Sequence, residues 1–335
     1  MTLTPIGDLS RGFVLRHRQA GLQSESMRLQ TELTTGRVAG TRNHLRGDYA
    51  HLSDIERSLS MLESYRSAIA ESDTMTATMQ AALGAVRDHS ADLSAGLMLA
   101  AQAGSPLDLR IASADAEQAF GALVGQLNSR SAGRSLFSGA AYDSAALAAP
   151  EEMLAALRGV LAGTSTFAGV EAAFDSWFGS GGGFETSGYL GATRDGTPLQ
   201  LSEDLRLGLS IRADDPVFRD TLKATAMSAL AADESLGFAE DVQVQMIESA
   251  GAQLIAARPG VLDVIAGLGV VQSRIEDGRA RNEAAGLTLE LARNTLLSVD
   301  PYETATRFEA VQSQIETLYA VTVRAARMSL LDYMR

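Results

Sequence analysis

The chain has 335 residues, more than the roughly 100–200 of one domain, so two or more structural units are expected. It has no cysteine, which excludes a disulfide framework, thiolate metal sites and a cysteine nucleophile. Its formal charge of −13 argues against nucleic-acid binding by phosphate neutralisation. No stretch approaches the ~18 consecutive apolar residues of a membrane span. Met1 to Arg18 lacks the basic-then-apolar layout of a cleavable signal peptide, so any export is expected by another route.

From Ile6 to Ser105 there is no proline. Nothing there imposes the ~3 kcal/mol that proline costs a helix interior, so long helices are expected. Leu52, Ile55, Leu59, Leu62, Tyr65 and Ile69 recur at steps of three and four, one helical stripe. After a polar stretch it resumes at Met79, Leu83 and Val86, followed by Leu93 and Leu97. The Gly104-Ser105-Pro106 break precedes a helix predicted over 111–129.

The middle of the chain differs. Residues 141–260 hold 17 acidic and 7 basic side chains, whereas the first 60 hold 6 and 8. The Gly179–Gly183 tract reads as a linker or hairpin tip, and Asp195-Gly196 as a hairpin turn. Residues 199–202 and 205–211 alternate apolar with polar, the period of a strand. Asp214-Asp215-Pro216 opens a helix carrying Val217, Phe218, Leu222 and Met227. A further helix is predicted over 261–297, with Leu262, Ile265, Leu268, Ile275, Leu287 and Leu291 apolar. The last begins with Asp300 as N-cap and Pro301 in its first position. Its Phe308, Val311, Ile315, Leu318, Thr322 and Ala325 form the a/d seam of a helix that packs on other helices. The expected fold class is mainly α, a long helical-bundle or coiled-coil rod built from both chain ends. A small β-containing (α/β) outer domain is inserted between them.

No catalytic constellation emerges. All four histidines, His17, His44, His51 and His89, lie in the first 90 residues. His44, Asp48 and His51 have the spacing of one helix face, but no flanking metalloenzyme motif accompanies them, and a solvated face with no metal is expected. There is no G-x-S-x-G, and the glycine tract lacks the Lys-Ser/Thr ending of a phosphate loop. The paired carboxylates, such as Glu151-Glu152 and Asp233-Glu234, fit a solvated acidic surface. No enzyme activity, metal or cofactor is therefore expected from these residues.

Two motifs and the chain end carry a family resemblance. Leu29-Gln30-Thr31-Glu32-Leu33-Thr34-Thr35-Gly36-Arg37 resembles the leucine-plus-Ser/Thr-Gly-basic signature of flagellins and their junction relatives. Gly133-Arg134-Ser135-Leu136-Phe137-Ser138-Gly139 resembles the G-R-x-L-F-x-G turn of the flagellar hook-associated protein 3 family, the hook–filament junction proteins. Pro198–Ile211 and the helix after it, and the end from Asp300-Pro301-Tyr302 to Leu330, are similar to that family's outer domain and C-terminal helix. The family's Ser-Asp-Asp-Pro after the Gly-basic signature is missing; Val38-Ala39-Gly40-Thr41 stands there.

The resemblance implies terminal segments, 1–45 and 300–335, that are disordered in the monomer and pair on assembly. It implies rod helices over 46–139 and 260–299, and an outer domain over 140–259. It further implies extracellular assembly in the bacterial flagellum, after type III export with a chaperone. About eleven copies would form a ring between the first hook-associated protein and flagellin. The seam at Phe308, Val311, Ile315 and Leu318, with Leu52, Ile55, Leu59 and Leu62 opposite, is expected to carry the packing. A minor flagellin and an enzyme-bearing flagellin relative remain as alternatives.

Overall fold

The front of the chain folds into α1 (Ile6–Thr35), α2 (Thr41–His44), α3 (Ala50–Ala103) and α4 (Pro106–Leu127), and α3 and α4 bury apolar residues at steps of three and four. The computed structural model describes residues 6–333. A hairpin of β1 (Arg130–Ser131) and β2 (Arg134–Ser135) follows, then α5 (Pro150–Leu161), α6 (Phe167–Phe178) and a π-helical turn over Phe184–Gly188. Antiparallel β3 (Leu199–Gln200) and β4 (Arg206–Leu207) precede α7 (Pro216–Ala229), α8 (Glu240–Leu297) and α9 (Pro301–Tyr333). The fold class is mainly α, as expected. The chain divides into two units, one joining the part up to Leu62 with that from Glu283, the other running from Glu63 to Asn282.

The α3 stripe has no gap. Ser72 and Thr76, in the stretch that reads as polar, are fully buried in register with Ile69 and Met79. Their hydroxyls donate to the helix's own carbonyls, Ser72 to Ala68 at 2.7 Å and Thr76 to Asp73 at 3.2 Å, so burial leaves no polar group unpaired. The helix predicted over 111–129 begins five residues earlier. The Ser105 hydroxyl accepts the Asp108 N–H at 3.2 Å, and Pro106 fills the first position, where a missing N–H costs nothing.

Pro150, Pro216 and Pro301 likewise open α5, α7 and α9. Asp300 caps α9 as expected, its Oδ1 accepting the Tyr302 and Glu303 N–H groups at 2.8 and 3.1 Å. Pro259 behaves differently, because it lies inside α8, which starts at Glu240 rather than near 261. Met246, Ile247 and Leu254 on one side, with Val261, Leu268 and Ile275 on the other, are buried. Their packing offsets the ~3 kcal/mol proline cost and holds the helix through it.

The middle of the chain is more helical than its sequence period suggests. The second unit's core is built from Leu154, Leu157, Val170, Phe174 and Trp177 on the unforeseen helices α5 and α6, together with Phe218, Leu222 and Met227 of α7. The strands exist but are two residues each, and the loop over 201–205 joins them, not Asp195-Gly196. The Gly179–Gly183 tract is no linker: a Cβ on Gly183 would lie 2.0 Å from the indole nitrogen of Trp177. A side chain would displace the ring, so glycine is what lets this backbone cross the aromatic cluster.

One helix departs from the membrane expectation. α8 is long and apolar enough by length and composition to cross a membrane, with a window of mean hydropathy 1.8 of which 17% is buried. Counting only consecutive apolar residues misses it, because Arg258 and Asp263 interrupt the run. Beside the buried stripe, Ile255, Leu262 and Val270 of α8 are exposed.

Candidate assembly site

The chain ends meet in the first unit. Val38 N–H donates to the Leu297 carbonyl at 2.9 Å, and Val299 N–H to that of Gly36 at 3.2 Å. These bonds tie the end of α1 to the start of α9. Further along, the Gln19 amide donates to the Tyr319 hydroxyl at 3.0 Å, so α1 and α9 run antiparallel.

On α9 the expected seam is the less exposed face, with Val311 buried and Phe308, Ile315 and Leu318 half-buried. On α1 the matching face carries Leu15 and Leu22, half-buried, and Leu29, buried, at a spacing of seven. This α1 stripe goes unrecognised in the sequence because Gly12, Gln19 and Ser26 fill its other positions. On α3, Leu52 and Ile55 are buried while Leu59 and Leu62 are half-buried. Thr322 is exposed, and the Ala325 side chain lies outside the described residues. The outer faces of the helix pair present Phe13, Val14, Met27, Val321 and Val323 to solvent.

The Leu29–Arg37 motif anchors this pair. Gly36, at φ +67°, ends α1 in the left-handed conformation that glycine adopts without penalty. Glu32 is buried, and its carboxylate is satisfied by Arg28 at 2.8 Å and the Ala39 N–H at 3.1 Å. Arg37 bonds Asn294 near the end of α8. His44 ends α2, and its Nε2 lies 3.0 Å from the Leu296 carbonyl. Turns separate it from His51 on α3, so His44, Asp48 and His51 do not share one helix face. Among the described residues no cluster could hold a metal ion.

In the second unit the Gly133–Gly139 motif joins the β hairpin to the surrounding loops. Ala132 and Gly133, at φ +49° and +80°, make the two-residue turn that matches strand twist. Arg134 pairs with Glu71 at 2.9 Å and stacks 4.2 Å over the Tyr142 ring. Leu136 is buried, and Phe137 is buried edge-on to Phe218, its carbonyl accepting the Ala213 N–H at 2.9 Å. Gly139, at φ +61°, lies so close to the Ala192 and Arg194 carbonyls that a Cβ would fall 2.5 and 2.6 Å from them. Ser138, a serine on a turn, donates to the Ala141 carbonyl at 2.7 Å. The motif is therefore a packing device.

Charged groups beside the motif are structural as well. Arg212 bridges Asp195 and Asp214. Burial pushes the Asp215 carboxyl up, although it accepts the Arg212 N–H at 3.0 Å. The Tyr189 hydroxyl donates to the Ala192 carbonyl at 2.9 Å. Burial, then the Asp214 charge, pushes its pKa up to about 12. The unfolded phenol ionises near 10 and the folded one near 12, so stability is intact below about pH 10 and falls as pH rises between these values. Tyr189→Phe is expected to flatten this alkaline loss by about 1–2 kcal/mol in urea titrations across that window. An unchanged slope would remove Tyr189 as its source.

Two long helices from the two halves of the chain, paired antiparallel, define the first unit. Residues 244–334, which span most of α8 and α9, match the family model for the bacterial flagellin C-terminal helical region. This part of the chain is thus similar to the C-terminal helical region of bacterial flagellin. No curated protein matches the sequence. Among solved structures, a protein described as a flagellar hook-associated protein from Vibrio parahaemolyticus is similar at 14% identity and a TM-score of 0.40. The match covers 70% of this chain and 94% of that one.

Proposed function

We propose that this protein is a structural, non-enzymatic subunit of the bacterial flagellum that joins hook to filament. The observation that carries the reading is the flagellin-type C-terminal region paired antiparallel with the chain's own N-terminal helix, with apolar outer faces exposed. A two-helix pair buries little surface by itself and is stabilised when neighbours cover it. The subunit is exported by the flagellar type III route with a chaperone that masks the C-terminal seam. About eleven copies form an extracellular ring between the first hook-associated protein and flagellin. The Phe308–Leu318 seam and Leu52, Ile55, Leu59 and Leu62 carry the packing, with 140–259 as the outer domain. The Gly133–Gly139 turn, which resembles that of the junction proteins, supports a junction subunit over a filament subunit.

Deleting the gene tests the reading. Electron micrographs are expected to show bare hooks, with flagellin released into the medium. Intact filaments would reject the junction role. They would favour a minor flagellin, a second reading supported by the flagellin C-terminal match.

A further inference from the structure

An open groove of about 730 Å³ runs between α3 and α4 in the second unit. Small residues dominate its walls, Gly96, Ala100 and Ala103 of α3 opposite Ala112, Ala119 and Ala122 of α4, over the buried Leu93 and Leu97. Leu99 and Ile111 stand on its rim, exposed by 68% and 52%. Three carboxylates, Asp92, Asp108 and Asp115, line it, and neither lysine nor arginine does. Small residues let a helix backbone approach closely, within the 8–10 Å of packed helix axes. The site therefore suits an apolar helix ridge bordered by cations.

Such a ridge exists on the same unit. Ile255, Pro259, Leu262, Ala266 and Val270 fall within one exposed band of α8. Exposed Arg258 and Arg274 border it, against one carboxylate, Asp263. No residue of α8 lines the groove, so both surfaces are free on the same molecule. Complementary patches at different places on one chain make a head-to-tail contact, which propagates into a ring or a helical array.

We infer that the α8 ridge of one copy docks in the α3–α4 groove of a second copy of this chain. The apolar ridge fills the space between the alanine-rich walls, and the arginines meet the acidic rim. The inference rests on the reading of the chain as a self-assembling flagellar subunit and names the surfaces that join its copies.

The absence of cysteine makes the test direct. Full-length Leu99→Cys and Leu262→Cys chains, both altered at exposed positions, are mixed at high concentration with a short bismaleimide. Mixed-site dimers are expected to exceed same-site dimers by roughly tenfold or more. A Cβ at Gly96 meets open space, so Gly96→Leu should fold normally and block the groove. Adding it to the Leu99→Cys chain is expected to lower the mixed-site yield about tenfold, the loss typical of an obstructed interface centre. Predominance of same-site dimers, no dimers in any mixture, or an unaffected yield with Gly96→Leu would each overturn the pairing. The deletion phenotype is scored separately. Bare hooks without mixed-site dimers would reject this contact alone, and mixed-site dimers with intact filaments would reject only the junction role.

Discussion

Leu318→Asp is expected to abolish incorporation of the protein into flagella while leaving the second unit folded. Leu318 lies on the less exposed face of α9, three residues beyond Ile315, in the helix paired with α1. Burying a leucine side chain contributes about 1.5–3 kcal/mol, and a carboxylate in its place brings a desolvation cost as well. A pair of helices has little stability to spare against that loss. The second unit contains the only tryptophan, Trp177, packed 4.6 Å edge-on against Phe178. Its fluorescence therefore reports that unit and not the helix pair. The expected result is an unchanged Trp177 spectrum and unfolding midpoint, with the variant missing from purified flagella. Leu318→Met, which keeps volume and apolarity, should assemble. Normal flagellar number and length with Leu318→Asp would reject the seam as an assembly element.

Legibility in the sequence followed how directly each residue type reports burial. The less exposed face of α9 and its Asp300-Pro301 start were readable because apolar positions and cap chemistry coincide there. The α3 stripe was readable except at Ser72 and Thr76, where hydroxyls satisfied within the helix are as buried as the leucines around them. The α1 face was missed for a related reason, since glycine, glutamine and serine occupy seam positions whose partner lies about 300 residues away in the sequence.

The middle of the chain was legible only in part: Pro216 opens α7 as expected, whereas Pro150 opens the unforeseen α5 and Pro259 sits within α8. The groove between α3 and α4 had no legible signal. Its walls are largely alanine and glycine, which look alike whether they face a core, a partner or water.

The two glycines that bracket the Gly133–Gly139 motif should respond very differently to substitution. Both have positive φ, +80° and +61°, where an added Cβ costs about 1–2 kcal/mol. At Gly133 that is the whole cost, because a Cβ there meets nothing within 4 Å. At Gly139 the Cβ would press on two backbone carbonyls that cannot rotate away, since Arg194 accepts the Ala140 N–H at 2.9 Å and Ala192 accepts the Tyr189 hydroxyl. Overpacking of this kind adds about 1–3 kcal/mol, so Gly139→Ala is expected to lose about 2–5 kcal/mol in all. Urea unfolding followed by Trp177 fluorescence measures both variants on the same unit. Equal losses would mean that backbone conformation alone sets the glycine requirement. A larger loss at Gly139 would assign its role to holding the 192–194 loop against the turn, which is how the motif closes the second unit around Phe137.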